Sequence, residues 1–340
     1  MKTIMELGID RQKKRIWDEK APGTCVEPLW LQKDKRDKKR VHLAGLGDVG
    51  RNVALGLTLL GGEIIERIGL YDLNGAQCKR METELSQMAP PPGGGRMPEV
   101  AEVSWEEIFD CEVFLFCATK SVPALDSEVK DVRMAQYEAN KGIVSLYARR
   151  AAETGYKGLF VVVSDPVDLL CMEALKASWE GGAAGAFGPE QVRGCGLGVM
   201  HGRAAYYAGR HPEFALYLRE GRAFGPHGKD LVIANSLDPE HYDDENSRKL
   251  TGLTAGANME IRALGFKPFL APAISSAVLT LLAMLRGEWQ YSAAYLNGLY
   301  FGALNRQTPE GVRWETQPLP EALFARLEKA FIGLEEILWS

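Results

Sequence analysis

The sequence predicts an α/β fold in which a doubly wound parallel sheet forms the N-terminal half. Strands alternate with helices along this half, which implies βαβ units with right-handed crossovers. Residues 159–163 (Leu-Phe-Val-Val-Val) are apolar throughout, as expected of a strand covered on both faces. A glycine-rich turn joins the first strand to the first helix. These observations indicate a layered sheet with helices on both sides.

The individual elements follow from the hydrophobic pattern. Strands are predicted at residues 41–44, 68–72, 113–117 and 159–164, and helices at residues 51–60, 76–88 and 134–152. A run of prolines and glycines at residues 90–95 requires a loop. The pattern changes after residue 170: we predict helices at residues 169–179, 273–285 and 321–338, with a Gly- and Ala-rich loop at residues 181–188.

Composition excludes several functional classes. The formal net charge of -5 and the pI of about 5.7 provide no overall basic surface for nucleic acid. The sequence contains no apolar stretch of about 18 residues, so we expect no transmembrane helix. The six cysteines form no CxxC pair and predict buried free thiols in a reducing compartment. The N-terminus does not have the pattern of a secretory signal, and we expect a soluble, cytoplasmic protein.

A nucleotide-binding motif follows the first predicted strand, which leads into Gly-Leu-Gly-Asp-Val-Gly. This GxGxxG pattern is weak alone, but here it has the strand–turn–helix context that it requires. Gly45 permits the tight turn, Gly47 lets the backbone approach a pyrophosphate, and Gly50 allows the helix to pack closely on the strand. Asp48 and Val49 then lie in the first helical turn, where backbone amides bind phosphate.

Asp72 ends the second strand, 22 residues after Gly50. An acid there accepts hydrogen bonds from ribose hydroxyls and repels a 2′-phosphate, which predicts NAD in preference to NADP. A plain glycine-rich turn followed by an Asp helix cap is the structural alternative, and the combined motif, context and spacing disfavour it. We therefore predict an NAD-binding Rossmann domain at residues 41–168, preceded by an N-terminal extension at residues 1–40 and followed by a C-terminal domain at residues 169–340.

From about residue 41 onward, the chain resembles the lactate/malate dehydrogenase family as a divergent member. The resemblance is carried by the nucleotide motif with Asp72, by Arg133 with Asn140 seven residues later, by Val-Val-Ser-Asp-Pro-Val-Asp at residues 162–168, by residues 194–203, and by Gly-Pro-His-Gly-Lys at residues 225–229. It implies a Rossmann domain followed by an α+β lactate/malate dehydrogenase-like C-terminal domain.

The resemblance also implies a reaction. Arg203 binds the substrate carboxylate through a two-pronged contact, and His227 takes the hydroxyl proton as a hydride leaves for the nicotinamide. Arg133 polarises the substrate oxygen from a mobile loop. Further residues implied to line the cofactor site are Ala118, Asn140 and Ser164. The implied partners are NAD, a 2-hydroxy or 2-oxo acid, and other copies of the chain in a homodimer or homotetramer; we expect no metal, nucleic acid or membrane partner.

The chain departs from the family pattern within the active site. The family has an Asp three positions before Arg203, where this sequence has Met200, and the neighbouring His201 cannot replace an anion. Asp165 stands where the family has an Asn that donates to a substrate oxygen, and an ionised carboxylate cannot donate. We hypothesise that Asp165 supplies the missing anion to His227.

Two further departures affect the substrate site. The loop from Lys120 to Val132 is longer than in the family, which leaves the residue that selects the substrate unassigned; Lys120 and Lys130 are basic candidates. Lys229 replaces the Asp that follows His-Gly in the family. The mainly apolar residues 266–273 lie near the pocket wall of the family, so the resemblance suggests a non-polar substrate side chain.

Two other functions stay open. A non-catalytic relative would bind NAD(H) as a ligand for sensing or assembly. An NAD-dependent glycosidase of the related fold is a weaker alternative, because that group uses a Cys-Asn-x-Pro metal motif and the matching residues here are Ser164, Asp165 and Pro166. Arg133 and Arg203 taken singly could each be surface or helix-capping residues, and it is their joint placement with His227 that indicates a substrate site.

Overall fold

The computed structural model describes residues 2–9, 38–120, 132–180, 185–228 and 230–339. Its strands are β1 (Lys39–Ala44), β2 (Ile65–Tyr71), β3 (Glu99–Glu102), β4 (Val113–Phe116), β5 (Leu159–Val162), β6 (Val192–Gly194), β7 (Arg222–Phe224), β8 (Val232–Ala234), β9 (Gln290–Leu296), β10 (Leu299–Thr308) and β11 (Gly311–Trp314).

Its α-helices are α1 (Asp48–Leu60), α2 (Gly75–Ser86), α3 (Val132–Glu153), α4 (Val167–Glu180), α5 (Leu197–Ala208), α6 (Tyr217–Glu220), α7 (Asp244–Ala263), α8 (Thr280–Leu285) and α9 (Glu321–Trp339). Short 3₁₀ turns occur at Ile4–Glu6, Pro189–Gln191 and Pro212–Phe214. A π-helix, Pro272–Leu279, runs directly into α8.

The strands assemble into one nine-stranded sheet and one small hairpin. The order in the large sheet is β11-β10-β9-β6-β5-β4-β1-β2-β3, and β7 pairs with β8. The six strands from β3 to β6 are mutually parallel, in the order 3-2-1-4-5-6 of a Rossmann fold. β9 joins β6 in the antiparallel direction, with Gly194 opposite Ala293. The predicted fold class is therefore confirmed, and the parallel sheet is extended by an antiparallel meander.

Alternating side chains of the central strands supply two cores, one on each face of the sheet. Phe114 and Phe116 of β4 lie in one core, while Val113 and Leu115 lie in the other. The first core includes side chains of α3, α4 and α9, and the second includes side chains of α1, the π-helix and α8. Burial on both faces explains why β4 and β5 are continuously apolar.

Each helix and strand predicted from the sequence has a counterpart in the structure, and one of them differs in type. The predicted helix at residues 273–285 begins as a π-helix at Pro272, and Ser276 in this segment accepts a hydrogen bond from Val199 N (2.9 Å) and donates one to Gly196 O (2.8 Å). The wide turn is thereby attached to the start of α5. The division at residue 168 stays a proposal, and the sixth parallel strand, β6, lies beyond it.

The first residues of the chain pack against its C-terminal part. Leu319 N donates to Lys2 O (2.9 Å), and the Asn297 side-chain amide donates to the carbonyls of Met5 (2.7 Å) and Leu7 (2.9 Å). Ile4 is buried in the same core as α9. Residues 2–9 therefore belong to the body of this chain, and residues 10–37 of the predicted extension lie outside the described residues.

The described residues contain free cysteines and no helix that could span a membrane. Cys78, Cys111, Cys117, Cys171 and Cys195 are buried free thiols, as the spacing of the cysteines predicts. Cys25 lies outside the described part of the chain. No helix among the described residues is both long enough and apolar enough to cross a bilayer.

Candidate active site

The turn after β1 has the close backbone packing that the glycine pattern predicts. Gly45 has a φ of 95°, and a Cβ added there would lie 2.6 Å from the backbone N of Ala118, at the end of β4. A Cβ on Gly50 would lie 1.8 Å from Gly45 O. A Cβ on Gly47 would have no atom within 4 Å, so Gly47 faces open space. The turn lies where the strand order reverses between β1 and β4, the place where Rossmann folds bind nucleotides.

Asp72 connects this turn to the end of β2. Its Oδ2 accepts a hydrogen bond from Leu46 N (2.6 Å), and its Oδ1 accepts one from Asn74 N (2.9 Å). A carboxylate has about four acceptor positions, so both oxygens keep capacity for ribose hydroxyls. Asp72 thus has a structural role in the free protein that is compatible with the ribose contact predicted from the sequence.

Asp48 begins α1 and forms two ion pairs. Its Oδ1 lies 2.7 Å from Arg51 Nη2 on the same helix, and its Oδ2 lies 3.2 Å from Lys267 Nζ. Lys267 belongs to the segment between α7 and the π-helix, so the second pair joins the C-terminal half to the nucleotide turn. The two cations compensate a carboxylate that would otherwise repel phosphate groups at the helix N-terminus. Val49 follows in the same helical turn and packs against the second core.

Asn140 of α3 is completely buried, and its side chain forms bonds within the protein. Its Oδ1 accepts hydrogen bonds from Lys120 N (2.9 Å) and Thr119 Oγ1 (3.4 Å), and its Nδ2 donates to Asp165 O (2.9 Å). The amide therefore joins the segment after β4 to the segment after β5. The cofactor contact implied for Asn140 stays a prediction, and in this structure its amide holds these two segments together.

Ser164 lies at the carboxyl end of β5 and is buried. Its Oγ has no hydrogen-bond partner among the described residues. An orphaned buried hydroxyl is unfavourable unless a ligand or water completes it. Together with the open space over Gly47 and the spare acceptors of Asp72, this hydroxyl fits the binding of a dinucleotide along the strand ends.

His227 and Asp165 form a pair at the centre of the site. The His227 Nδ1 atom lies 3.2 Å from Asp165 Oδ1. His227 is held in a loop bounded by Gly225 and Gly228, which have φ values of 85° and 135°, and a Cβ added to Gly196 would lie 3.3 Å from His227 Cβ. The side chain of His227 is 22% exposed, so the ring is fixed but remains accessible.

The Asp165 carboxylate is stabilised in its charged form. Burial opposes its ionisation, but the attraction and hydrogen bond of His227 and the charges of Arg133 and Arg203 outweigh this effect, so the pKa of Asp165 lies below its ordinary value. Asp165 is therefore an anion at neutral pH, and it interacts electrostatically with His227, Arg133 and Arg203.

Met200 and Arg203 lie on successive turns of α5. Met200 is buried, and its Sδ lies 3.8 Å from Arg203 Nη1. Burial lowers the pKa of the Arg203 guanidinium, and Tyr207 and Asp165 oppose this effect. The neighbouring His201 is engaged elsewhere, since its Nδ1 lies 2.9 Å from the Tyr217 hydroxyl and its ring stacks on another aromatic residue.

Arg133 reaches two carboxylates that the sequence did not indicate. Its Nη2 lies 3.7 Å from Asp168 Oδ2, and its Nη1 lies 3.8 Å from Asp230 Oδ2. Asp168 is part of the quoted Val-Ser-Asp-Pro-Val-Asp stretch, so its position was a usable signal. Asp230 follows the His227 loop, and nothing in its sequence context links it to Arg133.

The two basic candidates for the substrate site have no assigned role. Lys120 is exposed at the end of the described segment, and Lys130 lies outside the described residues, as does Lys229. In the described part of the chain, no group of three or more His, Cys, Asp and Glu side chains is arranged to hold a metal ion.

The strand order and the glycine turn are those of a Rossmann fold, and a cluster of basic and acidic side chains lies at the ends of its strands. Among curated proteins, the chain is 25% identical to L-lactate dehydrogenase 1 of Bacillus cereus over 195 residues, which cover 57% of each protein. The match therefore spans little more than half the length of this relative. No family model matches the chain.

Solved structures match over more of the chain. A lactate dehydrogenase from a Medee basin deep-sea metagenome library has a TM-score of 0.71 at 17% identity, covering 88% of this chain and 98% of that chain. The malate dehydrogenase from Aeropyrum pernix has a TM-score of 0.71 at 18% identity, covering 88% and 97%. Together the comparisons support a divergent member of the lactate/malate dehydrogenase family, with the fold of those enzymes.

Proposed function

We propose that the protein is an NAD-dependent oxidoreductase that interconverts a 2-hydroxy acid and a 2-oxo acid. The observation that carries the proposal is the Asp165–His227 pair (3.2 Å) with Arg133 and Arg203 close enough to influence its charge. This reaction needs a general base that a carboxylate orients, and it needs cations that bind an oxygen-rich substrate. The glycine turn provides the cofactor site beside it.

The protein's own residues would divide the work as follows. Arg203 binds the substrate carboxylate, and Arg133 stabilises negative charge on the substrate oxygen. Because Nδ1 of His227 faces Asp165, Nε2 is the nitrogen that exchanges a proton with the substrate hydroxyl. Asp165 orients the ring and stabilises the imidazolium. The turn from Gly45 to Gly50, together with Asp72 and Ser164, would hold NAD, which would supply the hydride acceptor for this reaction.

The Asp165 position gives the site its unusual character. A carboxylate near the substrate oxygen replaces an amide donor, and a thioether at Met200 replaces the expected anion. In this proposal the carboxylate needed by His227 has moved from α5 to the turn before α4. Proton transfer is retained, while the hydrogen bond that the family's Asn donates is lost.

A direct experiment would combine binding and turnover. NADH binding is measured by calorimetry, and NADH oxidation is followed with a panel of 2-oxo acids that differ in side-chain size and charge. We expect micromolar-range NADH binding and turnover of at least one acid, with turnover lost in His227→Gln while NADH binding is retained. Absence of turnover across the whole panel would contradict the proposal.

The alternative function is NAD(H) binding without catalysis, and the substitution at Met200 is the observation in its favour. It predicts NADH binding equal in the parent protein and in His227→Gln, with no 2-oxo acid consumed. We also propose a homodimer or homotetramer, as the resemblance implies. Exposed apolar side chains such as Leu264 (70%), Phe266 (69%) and Leu270 (62%) are compatible with a covered surface. Light scattering of the purified protein tests this.

A further inference from the structure

We propose that Asp230 and Asp168 are positioning residues that hold the Arg133 guanidinium in place for the substrate. The inference rests on the proposed function, since it concerns how the same site orients a residue that would contact the substrate. Neither carboxylate belongs to the set of residues that bind, protonate or polarise the substrate in that proposal.

Two contacts of Arg133 define the arrangement. Nη2 faces Asp168 Oδ2 at 3.7 Å and Nη1 faces Asp230 Oδ2 at 3.8 Å. Because the guanidinium is rigid and planar, anchoring both terminal nitrogens restricts its orientation as well as its location. The side chain of Arg133 is only 16% exposed, so screening by solvent is limited.

The distances make the two carboxylates charge partners and not hydrogen-bond acceptors, because they exceed the usual 2.7–3.2 Å by roughly half an ångström or more. A substrate oxygen at ordinary hydrogen-bond distance would contact the guanidinium more closely than either carboxylate does. The carboxylates can therefore hold the cation without competing fully with a substrate.

Asp168 and Asp230 connect Arg133 to the segments that carry Asp165 and His227. Asp168 lies in the first turn of α4, directly after the turn that carries Asp165. Asp230 lies in the loop that carries His227, near Gly333 of α9, where an added Cβ would be 3.9 Å from Asp230 Oδ2. A displacement of either segment would therefore move Arg133 together with the Asp165–His227 pair.

The charge of the Asp168 carboxylate changes at mildly acidic pH. Burial raises the pKa of Asp168 to about 6, opposed in part by Arg133 on α3 and by His227, while the charge of Asp165 adds to the increase. Cys171, on the same helix, is a further titratable neighbour. Protonation of Asp168 below this pH would remove one of the two charges that hold Arg133, leaving Asp230.

The test measures substrate affinity and turnover separately. We compare the parent protein with Asp230→Asn, Asp230→Glu, Asp168→Asn and the control Glu213→Gln, an exposed carboxylate in the 3₁₀ turn before α6. For each we measure kcat and KM for the best 2-oxo acid, the Kd of NADH, and the Kd of oxamate, an unreactive 2-oxo acid analogue, on the NADH complex.

We expect Asp230→Asn to lower kcat/KM by about tenfold to a hundredfold, as a misplaced catalytic group does, with the Kd of NADH and the thermal midpoint unchanged. Asp230→Glu should recover part of the loss, and Glu213→Gln should show none. The parent protein should lose activity as the pH falls through about 6, and Asp168→Asn should lack this acidic limb.

The outcomes separate the two proposals. Normal kcat/KM and normal oxamate binding in Asp230→Asn, beside an active parent protein, would overturn the positioning role alone. An acidic limb retained in Asp168→Asn would remove Asp168 from it. A parent protein that neither turns over any 2-oxo acid nor binds oxamate would overturn the proposed function, and the positioning role with it.

Discussion

Nδ1 of His227 lies 3.2 Å from Oδ1 of Asp165, in a site where the residue three positions before Arg203 is Met200. The carboxylate that faces the imidazole therefore comes from the turn between β5 and α4, and not from the helix α5 that carries Arg203. An acceptor in contact with Nδ1 selects the tautomer and stabilises the charged ring. This pairing generates the first prediction.

Asp165→Asn should abolish most proton transfer. The neutral amide no longer stabilises the imidazolium, so we expect kcat to fall by roughly 10²- to 10⁴-fold, the range seen when the orienting acid of a catalytic His is removed. The Kd of NADH should not change, because Asp165 is assigned to the substrate side. Steady-state kinetics with the best 2-oxo acid checks the prediction, and an unchanged rate would refute the role of Asp165.

A second substitution should restore part of the activity that Asp165→Asn loses. Met200→Asp, added to Asp165→Asn, restores the Asn–Asp combination that the resemblance implies. We expect this double variant to recover at least about tenfold of the lost kcat, which corresponds to ~1.4 kcal/mol of the activation barrier. Met200→Leu in the same background keeps the position apolar and should recover nothing. Equal activity of the two double variants would mean that a carboxylate at position 200 does not stabilise the charged ring of His227.

Gly47 and Gly50 should respond differently to the same substitution. Gly47→Ala meets open space in the protein, so folding should be preserved, but the methyl group lies where a pyrophosphate approaches the backbone. We expect its Kd for NADH to rise by about tenfold or more, at an unchanged thermal midpoint. Calorimetry and thermal unfolding measure the two effects, and tight NADH binding by Gly47→Ala would contradict the assigned cofactor site.

Gly50→Ala provides the matched comparison. Its Cβ would lie 1.8 Å from Gly45 O, a backbone atom that cannot move without opening the turn. The variant should therefore be destabilised by about 2 kcal/mol or more before any ligand is added. A Gly50→Ala protein as stable as the parent would show that the turn is looser than these contacts indicate.

Several parts of the fold were accessible from the sequence because local signals and tertiary packing agree. The strand at residues 159–164 is apolar on both faces, and the two cores of the folded chain use both faces. In contrast, β6 has only three residues, which is too short for a periodic pattern, and the sequence did not place it as the sixth strand. The sheet's continuation into β9 depends on a single long-range pairing, Gly194 with Ala293, which no local pattern reveals.

Parts of the site could be predicted from the sequence where the chemistry of the reaction limits which residue types can serve. The pairing of Asp165 with His227 follows from asking which anion could replace the one missing at position 200. Asn140 was assigned to the cofactor from resemblance alone, and its complete burial could not be seen in one sequence. Asp230 was missed because its partner Arg133 is distant in the chain, and an isolated Asp has no local feature that marks it as an ion-pair partner.

Asp168→Asn should change the pH dependence of stability. The pKa of Asp168 is raised to about 6 from an ordinary 3.8, so between these pH values the folded protein holds a proton that the unfolded chain has lost. Stability from this group therefore increases as the pH falls from about 7 to about 4, and at pH 7 the buried charge is destabilising. The isosteric neutral Asn should stabilise the protein at pH 7.5 by about 1–3 kcal/mol.

Thermal unfolding of both proteins across pH 4 to 8 checks this. The difference between their midpoints should be a few degrees at pH 7.5 and should become small near pH 4, because Asp168 is then protonated in the folded protein and partly protonated in the unfolded chain. Glu66→Gln, at an exposed carboxylate of β2, is the control and should give the same midpoint difference from the parent protein at every pH. A constant difference at all pH values would mean that Asp168 does not titrate in this range.

Lys267→Met should weaken cofactor binding through Asp48. Lys267 Nζ lies 3.2 Å from Asp48 Oδ2, at the helix end where the pyrophosphate is expected. Without this cation, the Asp48 carboxylate repels the phosphates more strongly, and since Lys267 is well exposed the effect should be modest. We expect the Kd of NADH to rise about twofold to fivefold at low salt and to approach the parent value in high salt. Fluorescence titration with NADH at two salt concentrations measures this.

Two further variants decide whether the effect passes through Asp48. Lys249→Met removes an exposed lysine of α7 that pairs with Glu245, and it should leave the Kd of NADH unchanged. Asp48→Asn removes the charge that Lys267 compensates, so adding Lys267→Met to it should produce a smaller change than in the parent. If the two substitutions instead act additively, Lys267 contacts the cofactor independently of Asp48, because additivity is expected only of residues that do not act through each other.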